Sequence, residues 1–552
     1  MNPAFNTQLL KITKPNNPLH IMNPEIPFKA PTGFLSMDYR TRLREASREI
    51  IERRITSDDE LRIIADKYNL PLSIVKTLST FHFHDYSEVQ VCMGLPCILK
   101  GAREASGKLE KRGIKYSITY CLGYCDKGPV VRMGDKYYTF VNGDFKEVEE
   151  SRSDYVQSNY ETLNKYIARG GYGYFEKFLN EGNKFLILEL LVRVGLLGGG
   201  ALTRLKALAS NADKPKYLIV NGHEGEPGGF KDRLIMERNT HQLLEGALLL
   251  SLALNVNEVI MAVNERFRNT KAMIEKALDE LRTFLTNRGL LSKLPPVTVS
   301  LVGSPYIVGE ETALINSIEG SRGEPRLRPP DPTEAGLFGK PTAVINVEAT
   351  AAVPILLSNY YEGREITIEK YFCITGDVDR PGLYRERLTI GLNELLVKAG
   401  TKEGNIKAAF VGGVSSGLVH SSRIKVRLTP EETRKLGVFL GPGVIIALSN
   451  NRCIADVMLE VERFFAHESC GRCEPCRLGT RELVEVLERI SNGKASEEDL
   501  KWAESVARTM METSLCGLGM SAGKVFLDAL NQFRDEFEEH IKGVCRAGVH
   551  FR

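Results

Sequence analysis

Apolar positions in the first third of the chain change from helical spacing to strand spacing. They recur every three or four residues from Tyr39 to about His84, which predicts amphipathic helices. Over residues 85 to 150 apolar and polar residues alternate, apart from one helical stretch at Ala102 to Lys111. This change predicts a helical segment followed by a small α/β domain, and the aperiodic, proline-containing residues before Tyr39 predict an irregular arm.

In the middle of the chain, three apolar runs alternate with long helical patterns. The runs cover residues 216–220, 258–263 and 297–302, and the helical patterns cover 239–254 and 267–287. This β-α-β-α-β order predicts a parallel sheet, whose ligands bind at the carboxyl ends of the strands. The segment NGHEGEPGG follows the first run and GSPYIVGEE follows the third, so both are expected at that edge.

Two further changes of pattern complete the division of the chain. Residues 366 to 450 hold short strand-like runs with one helical stretch, and the residues after them are mostly helical. The predicted fold class is therefore α/β and multidomain. The predicted division is an arm at 1–38, a helical segment at 39–84, and domains at 85–155, 156–365, 366–450 and 451–552.

Composition restricts the class of protein. The 552 residues hold 73 Lys and Arg against 70 Asp and Glu, a balance that provides no basic surface for nucleic acid. No signal-peptide pattern opens the sequence, and the longest apolar stretch, near Leu243 to Leu254, is shorter than the roughly 20 residues of a membrane span. These features predict a cytoplasmic protein without membrane insertion, in which closely spaced cysteines bind metal rather than form disulfides.

The densest cysteine motif lies near the C-terminus. Cys470, Cys473 and Cys476 form a C-x2-C-x2-C pattern, and Cys516 follows forty positions later in TSLCGLG. Three thiolates on one loop with a remote fourth are typical of a 4Fe-4S cluster. Structural zinc is the alternative, although zinc sites more often use two separate C-x2-C pairs.

A second group of cysteines lies in the small α/β domain. Cys92 and Cys97 form one pair, and Cys121 and Cys125 form another, each at the end of a predicted strand. Two such pairs are suited to a 2Fe-2S cluster, with a zinc knuckle or unmetallated thiols as the alternatives. The other three cysteines, Cys373, Cys453 and Cys545, stand alone in the sequence and are expected to be buried apolar residues.

Two clusters with a nucleotide-type domain between them are the parts of an electron-transfer subunit. A flavin would convert a two-electron donor into single electrons. The exposed N–H groups of the loop Gly198–Gly200, with Lys206 as counter-charge, suit the flavin phosphate. The alternative for this loop is a flexible turn between helices.

The motifs resemble a known family in order and spacing. NGHEGEPGGFKDR, GSPYIVGEETALINSIEG, LFGKPTAVINVEAT and ESCGRCEPCR…SLCGLG are similar to the flavin- and NADH-binding subunit of respiratory complex I. Its relatives are the diaphorase subunits of soluble hydrogenases, electron-bifurcating hydrogenases and formate dehydrogenases. Residues 39 to 150 resemble the thioredoxin-like 2Fe-2S subunit of the same assemblies, fused ahead of the flavin-binding part.

The resemblance implies cofactors, domains and site residues. It implies FMN, NAD(H) or NADP(H), one 4Fe-4S cluster and one 2Fe-2S cluster, in a chain whose domains are thioredoxin-like, Rossmann-like, β-grasp-type and helical. It also implies partner redox subunits, such as an iron–sulfur relay, a hydrogenase, a formate dehydrogenase or a quinone-linked module. The implied flavin residues are Gly199, Gly200, Lys206, Asn221, Glu224, Gly309, Glu310, Glu311 and Asn346, and the nucleotide residues are Glu226, Tyr306 and Glu311.

The chain departs from the family pattern around the expected flavin site. The glycine loop LLGGGALTRLK is a few residues shorter than usual and lacks two phenylalanines, and His223 stands where the family has Asp. The leading hypothesis is an oxidoreductase subunit that moves hydride between NAD(P)H and FMN and single electrons to a partner. Hydride transfer needs no protein acid or base, so none is predicted. The alternative hypothesis is a non-catalytic electron-relay or scaffold subunit that keeps the clusters and has lost flavin or NAD.

Overall fold

The computed structural model describes residues 39–82, 87–148, 160–181, 183–212, 215–367, 369–402 and 404–551. The arm predicted at 1–38 lies outside the described residues. The three sheets of the structure fall inside the predicted ranges 85–155, 156–365 and 366–450.

The described chain begins with three helices that share a small apolar core around Ile50, Ile64 and Val75. Ser57 caps the second helix, because its hydroxyl accepts the backbone N–H of Glu60. The helices are α1 (Tyr39–Arg53), α2 (Asp58–Lys67) and α3 (Leu72–His82).

A five-stranded sheet with two helices follows and has the mixed pairing of a small α/β domain. Its strand order is β2-β1-β3-β4-β5, with β1 parallel to β2 and the other neighbours antiparallel. The sequence pattern predicted α5 but not the short helix α4. The elements are β1 (Val89–Cys92), α4 (Leu95–Leu99), α5 (Ala102–Lys111), β2 (Ser117–Thr119), β3 (Val130–Met133), β4 (Lys136–Val141) and β5 (Asp144–Glu147).

The central domain is built on the predicted parallel sheet. Its four strands run in the order β8-β7-β6-β9, all parallel, with helices packed on both sides. The elements are α6 (Leu163–Ala168), α7 (Phe175–Glu181), α8 (Leu186–Arg193), α9 (Gly199–Ser210), β6 (Tyr217–Gly222), α10 (Lys231–Arg238), α11 (Thr240–Leu254), β7 (Glu258–Asn264), α12 (Arg268–Asn287), β8 (Val297–Val302), α13 (Glu311–Ile318), α14 (Pro332–Ala335), β9 (Thr342–Asn346) and α15 (Val347–Tyr361).

The third sheet has the strand order β11-β10-β14-β12-β13, with a parallel β10–β14 pair at its centre. The sequence pattern predicted one helix in this domain, and the structure has two. Pro430 begins the second, and Thr429 caps it with its hydroxyl. The elements are β10 (Glu369–Gly376), β11 (Gly382–Arg387), α16 (Leu392–Lys398), β12 (Ile406–Val411), β13 (Leu418–His420), α17 (Pro430–Lys435) and β14 (Val444–Ser449).

The chain ends in a four-helix bundle. Its helices bury an apolar stripe that includes Phe465, Leu487 and Phe526. In the described residues, no helix combines the length and apolar character needed to cross a bilayer. The helices are α18 (Ile454–Glu468), α19 (Glu474–Ser491), α20 (Glu497–Thr513) and α21 (Gly517–Ile541).

Candidate functional site

An open cleft lies at the carboxyl edge of the parallel sheet. Asn221 near the end of β6 pairs in register with Asn346 at the end of β9, so the two amides lie side by side. The cavity volume is about 340 Å³, within the range of small-molecule and cofactor sites. The residues lining the cleft are Asn221, His223, Glu224, Gly225, Glu226, Asp232, Tyr306, Ile307, Gly309, Glu310, Asn346, Ser415, Pro442, Gly517, Leu518 and Ser521.

Most of the predicted flavin and nucleotide residues meet in this cleft. Asn221, Glu224, Glu226, Tyr306, Gly309, Glu310 and Asn346 all line it. Gly199, Gly200, Lys206 and Glu311 are not among the lining residues. Sequence reasoning did not assign Asp232 or Ser415 to the site, although Asp232 lies in the segment NGHEGEPGGFKDR. Ser415 comes from the β-grasp-type domain, which no local pattern connects with the cleft.

Glu224 is held at the floor of the cleft by the start of α10. Its carboxylate accepts the backbone N–H groups of Asp232 and Arg233 at 3.0 and 2.9 Å. Burial raises the pKa of Glu224 to about 7, and the neighbouring carboxylate of Asp232 acts in the same direction. Lys231, buried behind Asp232, pairs with Asp232 and Glu348. The positive charge of Lys231, which does not line the cleft, therefore offsets part of the negative charge of the carboxylates around Glu224.

Glu226 joins three parts of the chain across the cleft. Its carboxylate accepts the hydroxyl of Tyr306 and the hydroxyl of Ser415, both at 2.7 Å. It also accepts the backbone N–H of Ser415 at 3.1 Å. Burial raises the pKa of Glu226, although these donors oppose the rise. The residue thereby fixes the β-grasp-type domain against the central sheet.

His223 is buried in the wall of the cleft as a neutral ring. Its Nε2 lies 3.0 Å from the carbonyl oxygen of Gly303, so Nε2 carries the proton. Burial lowers the pKa of His223 to about 4. In the described part of the chain, Nδ1 is buried without a hydrogen-bond partner. The wall of the cleft thus contains an acceptor that no described residue satisfies.

The rim of the cleft carries a small charge network. Glu310 caps α13 by accepting the backbone N–H groups of Thr312 and Ala313. The guanidinium of Arg328 reaches Glu310 at 2.8 Å and Glu311 at 3.0 Å. Burial raises the pKa of the Glu311 carboxyl, which Arg328 opposes. Arg328 therefore neutralises part of the negative charge at the rim.

The glycine loop and Lys206 lie apart from the lining residues. Gly199 and Gly200 form the first turn of α9, and no atom lies within 4 Å of a Cβ placed on either glycine. The Lys206 ammonium pairs with Glu189 at 2.6 Å. An ion pair from Arg204 to Asp331 at 3.4 Å connects α9 with the rim. The loop is thus the start of a helix rather than a turn between helices.

The four predicted cubane cysteines share one pocket beside the cleft. Cys470, Cys473, Cys476 and Cys516 line it, together with Ile307 and Leu518, which also line the cleft. Burial raises the pKa of the Cys476 thiol to about 12 and that of Cys516 to about 11. Thiolates are unfavourable in such a pocket unless a cation binds them, and iron supplies that positive charge.

The other four predicted ligands are fully buried in the thioredoxin-like domain. Sγ of Cys121 and Sγ of Cys125 are 3.4 Å apart, and a hydrogen bond links Cys92 with Cys97. This hydrogen bond is the main cause of the raised pKa of the Cys97 thiol, and burial adds to it. Two close pairs of buried thiols fit a metal cluster better than free cysteines, because a buried thiol needs a polar or cationic partner.

The central domain holds the loop that carries Cys121 and Cys125. The guanidinium of Arg266 donates to the carbonyl oxygens of Tyr120 and Cys121 at 2.7 and 3.1 Å. Arg233 Nε donates to the carbonyl oxygen of Gly123 at 3.1 Å. The thioredoxin-like domain is therefore fixed to the cleft domain through its ligand loop.

The prediction that the three isolated cysteines are buried is confirmed for Cys373 and Cys453, whereas Cys545 is only partly buried. Cys373 is buried in the β-grasp-type sheet, where its Sγ accepts the backbone N–H of Phe230 at 3.4 Å. Cys453 and Cys545 do not stand alone in the structure, because they lie together with His540 and His550. The spacing H-x4-C-x4-H in the C-terminal tail is the sequence signal that could have shown this.

The fold and the two cysteine pockets define an iron–sulfur flavoprotein. Three family models match in order: thioredoxin-like [2Fe-2S] ferredoxin over residues 42–148, Nuo51 FMN-binding domain over 192–355, and NADH-ubiquinone oxidoreductase-F iron-sulfur binding region over 456–540. The chain belongs to the family of the F subunits of NADH-quinone oxidoreductase, and it is an oxidoreductase subunit with flavin and iron–sulfur domains.

Relatives support this membership, and a solved structure shares the fold. The NADH-quinone oxidoreductase F subunit of Aquifex aeolicus (strain VF5) is 36% identical over 396 residues, which cover 69% of this chain and 92% of the relative. Its counterpart in Rickettsia typhi (strain ATCC VR-144 / Wilmington) is 35% identical over 410 residues, covering 70% and 96%. The crystal structure of a NAD+-reducing [NiFe]-hydrogenase in the H2-reduced state shares the fold, with a TM-score of 0.77, 23% identity, and 90% and 93% coverage.

Proposed function

We propose that the chain exchanges hydride between NADH and FMN in the cleft and passes single electrons to its clusters and then to a partner subunit. One observation carries the proposal: Ile307 and Leu518 line both the cleft and the cubane cysteine pocket. A single layer of apolar side chains therefore separates the two. FMN, when bound, accepts a hydride as an electron pair and releases the electrons one at a time.

The lining of the cleft fits a flavin ring and its ribityl chain. The unpartnered Nδ1 of His223 and the side-chain amides of Asn221 and Asn346 offer acceptors and donors at fixed positions. Gly309 leaves room in the wall, since a Cβ placed there would lie 3.2 Å from His223 Nδ1. We therefore assign Asn221, Glu224, Gly309 and Asn346 to FMN, with His223 as a further residue.

The flavin phosphate requires positive charge that the cleft lining lacks. Among the described lining residues there are four carboxylates and no Lys or Arg. The N–H groups of Gly199 and Gly200 at the start of α9 provide partial positive charge. Lys206 is available as well, because its partly exposed pair with Glu189 contributes only about 0–1 kcal/mol. A phosphate dianion can displace that carboxylate.

The nucleotide is assigned to the mouth of the cleft. Glu310 and Glu311 offer hydrogen-bond acceptors there, and Glu226 holds the aromatic ring of Tyr306 in place, an arrangement that suits ribose hydroxyls, a carboxamide and a base. The excess of carboxylates in the lining disfavours the additional phosphate of NADPH. We therefore propose NADH as the nucleotide.

The protein residues position the reactants rather than transfer protons. Hydride transfer requires no general base, and the buried carboxylates are already occupied by backbone and side-chain donors. Their hydrogen bonds keep Glu224 and Glu226 in fixed orientations, and the residues from the β-grasp-type domain close one side of the cleft against water. Fixed orientation lowers the entropic cost of bringing the nucleotide to the flavin.

Partner subunits are proposed to dock beside the cubane cysteines. Leu478, Met511 and Met520 are exposed by 55%, 38% and 40% and follow or precede the cluster ligands closely in the chain. Exposed apolar side chains that form a contiguous patch mark protein interfaces, and the proposal requires these three to form one beside the cluster ligands. We propose a cytoplasmic hetero-oligomeric complex in which an iron–sulfur relay, hydrogenase, formate dehydrogenase or quinone-linked module exchanges electrons at this surface.

Steady-state kinetics of the reconstituted chain test the proposal. With an artificial one-electron acceptor, kcat/KM for NADH is expected to exceed that for NADPH at least about ten-fold, which corresponds to about 1.4 kcal/mol. Glu226→Gln removes a charge from the cleft and is expected to lower NADH turnover while both clusters stay bound. Equal use of both nucleotides contradicts the choice of NADH, and no turnover with either contradicts the enzymatic function.

A further inference from the structure

Four side chains converge in the C-terminal bundle, apart from the cleft and from both predicted cluster pockets. Cys453 immediately precedes α18, His540 lies in the last turn of α21, and Cys545 and His550 follow on the tail. One ligand atom of each residue lies within 4.8 Å of all the others. We propose that these residues bind one Zn²⁺ ion in a closed tetrahedral site.

The ring of His540 is already oriented as a ligand. Its Nδ1 lies 2.6 Å from the carbonyl oxygen of Glu536 and donates to it, which leaves the lone pair on Nε2. Nε2 lies 3.3 Å from Sγ of Cys453. Ligands on one tetrahedral zinc, with bonds of about 2.0–2.3 Å, are about 3.3–3.8 Å apart. A carbonyl that fixes the second ring nitrogen is the usual support of a metal-bound histidine.

His550 is proposed to bind the metal through Nδ1, whereas His540 binds through Nε2. Its Nε2 lies 3.7 Å from Oδ1 of Asp456, so that carboxylate orients the ring from outside the site. Its Nδ1 is buried and has no hydrogen-bond partner within the part of the chain that the structure describes. A buried nitrogen without a partner is unfavourable. Coordination of a metal by Nδ1 satisfies it.

Backbone N–H groups reach both sulfurs of the proposed site. The backbone N–H groups of Ala547, Val549 and His550 face Sγ of Cys545. Cys453 is the N-cap of α18, and its Sγ accepts the backbone N–H of Asp456 at 3.5 Å. Donors of this kind favour the negatively charged sulfur that metals bind.

The geometry indicates a single metal rather than a two-iron centre. In a two-iron cluster with two cysteines and two histidines, the cysteines bind one iron and the histidines the other. The contact between Cys453 and His540 is too short for ligands of different irons. Two sulfurs and two imidazole nitrogens around one point are a typical structural zinc set. A closed site with four protein ligands has no position for substrate, so its role is structural.

The zinc would connect the start of the first helix of the bundle with the end of its last helix. Cys453 follows β14 of the β-grasp-type domain, and His540 ends the helix whose first turn follows Cys516. That first turn also contributes Leu518 to the cleft. The site therefore fixes α21 at the end remote from the cubane pocket.

Metal analysis of the purified full-length chain tests the proposal. Protein produced with zinc and iron in the medium is expected to hold about one zinc per chain. Cys545→Ser and His550→Ala are expected to lose it and to retain their iron, whereas the matched control Cys373→Ser keeps it. Wild type without zinc, or Cys545→Ser with unchanged zinc, overturns the proposal.

Two further measurements distinguish a misplaced metal from a misfolded variant. Wild-type protein whose zinc is replaced by Co²⁺ is expected to show the visible absorption of a tetrahedral cobalt site with sulfur ligands. Zinc that disappears in Cys473→Ser and stays in Cys545→Ser would place the metal at the cubane cysteines instead. A Cys453–Cys545 disulfide in the purified wild type, detected by mass spectrometry, would also overturn the assignment.

Discussion

The backbone N–H of Gly228 donates a hydrogen bond of 3.3 Å to Sγ of Cys125, although the two residues are 103 positions apart. Gly228 follows Glu226 by two residues, so one short loop contacts the cleft on one side and the predicted 2Fe-2S ligands on the other. Hydrogen bonds to cluster sulfurs raise the reduction potential by stabilising the more negative, reduced state. This loop therefore connects the proposed flavin site with the predicted 2Fe-2S ligands through one short stretch of backbone.

The first prediction concerns this loop. In Gly228→Ala, the new Cβ would lie 2.6 Å from Cγ1 of Val444, and the backbone has a φ of +100°. The loop must move, so we expect a lower 2Fe-2S potential in a redox titration followed by EPR spectroscopy.

The matched control is Gly143→Ala in the thioredoxin-like domain. Gly143 also has a positive φ, +79°, but no atom lies within 4 Å of its Cβ position. Backbone strain is thus common to both variants, and contact with Cys125 is not. An equal shift in the two variants would show that the Gly228 hydrogen bond does not set the potential.

The second prediction concerns the cubane pocket. Cys473→Ser is expected to remove about four of the roughly six irons of the wild-type chain, while the EPR signal of the 2Fe-2S cluster remains. Cys373→Ser, a buried cysteine outside every cluster of ligands, serves as the control. Iron and zinc are quantified per chain, and zinc in place of iron at Cys473 would contradict the assignment.

The third prediction concerns Glu245, a buried carboxyl remote from the cleft. Burial raises the pKa of Glu245 to about 7, although Tyr166 and the backbone of Tyr172 donate to it. Because this pKa is elevated, the contribution of Glu245 to the free energy of unfolding is fully present below the ordinary pKa near 4.5. It is lost as the pH rises through about 7. The loss reaches about 3 kcal/mol at higher pH.

Glu245→Gln removes this ionisation and keeps the size of the side chain. The difference in thermal midpoint between the variant and the wild type is therefore expected to increase in favour of the variant from pH 5 to pH 8. Any constant effect of the amide cancels in this comparison. A difference that is independent of pH would show that Glu245 titrates as an exposed carboxyl.

The fourth prediction concerns the phosphate. Lys206→Ala is expected to weaken FMN binding, and Glu189→Gln, which frees the ammonium of Lys206, is expected to strengthen it. Binding is measured by fluorescence quenching of FMN, with both clusters quantified in the same samples. If neither substitution changes the affinity, the N–H groups at the start of α9 bind the phosphate and Lys206 does not contribute.

Sequence patterns predicted the architecture better than the details of the site. Apolar runs located β6, β7 and β8, because a strand buried on both faces tolerates few polar residues. Cysteine spacing predicted two sets of cluster ligands, and the structure brings cysteines of each set together, with the four cubane cysteines in one pocket and Cys121 beside Cys125.

The features of the site that the sequence did not predict depend on contacts between distant segments. Nothing local indicates that Ser415 reaches Glu226 from another domain, or that Lys206 pairs with Glu189. The cluster of Cys453, His540, Cys545 and His550 combines residues nearly a hundred positions apart. The tail spacing marks His540, Cys545 and His550, but the approach of Cys453 to them is set by tertiary packing, which a pattern along the chain does not encode.

Quantification of flavin in the anaerobically purified chain tests the central claim most directly. After saturation with FMN and gel filtration, acid release is expected to yield about one FMN per chain, and NADH is expected to bleach the flavin absorption before the acid step. A chain that retains its iron but binds no flavin at saturating FMN would contradict the account and leave only an electron-relay subunit.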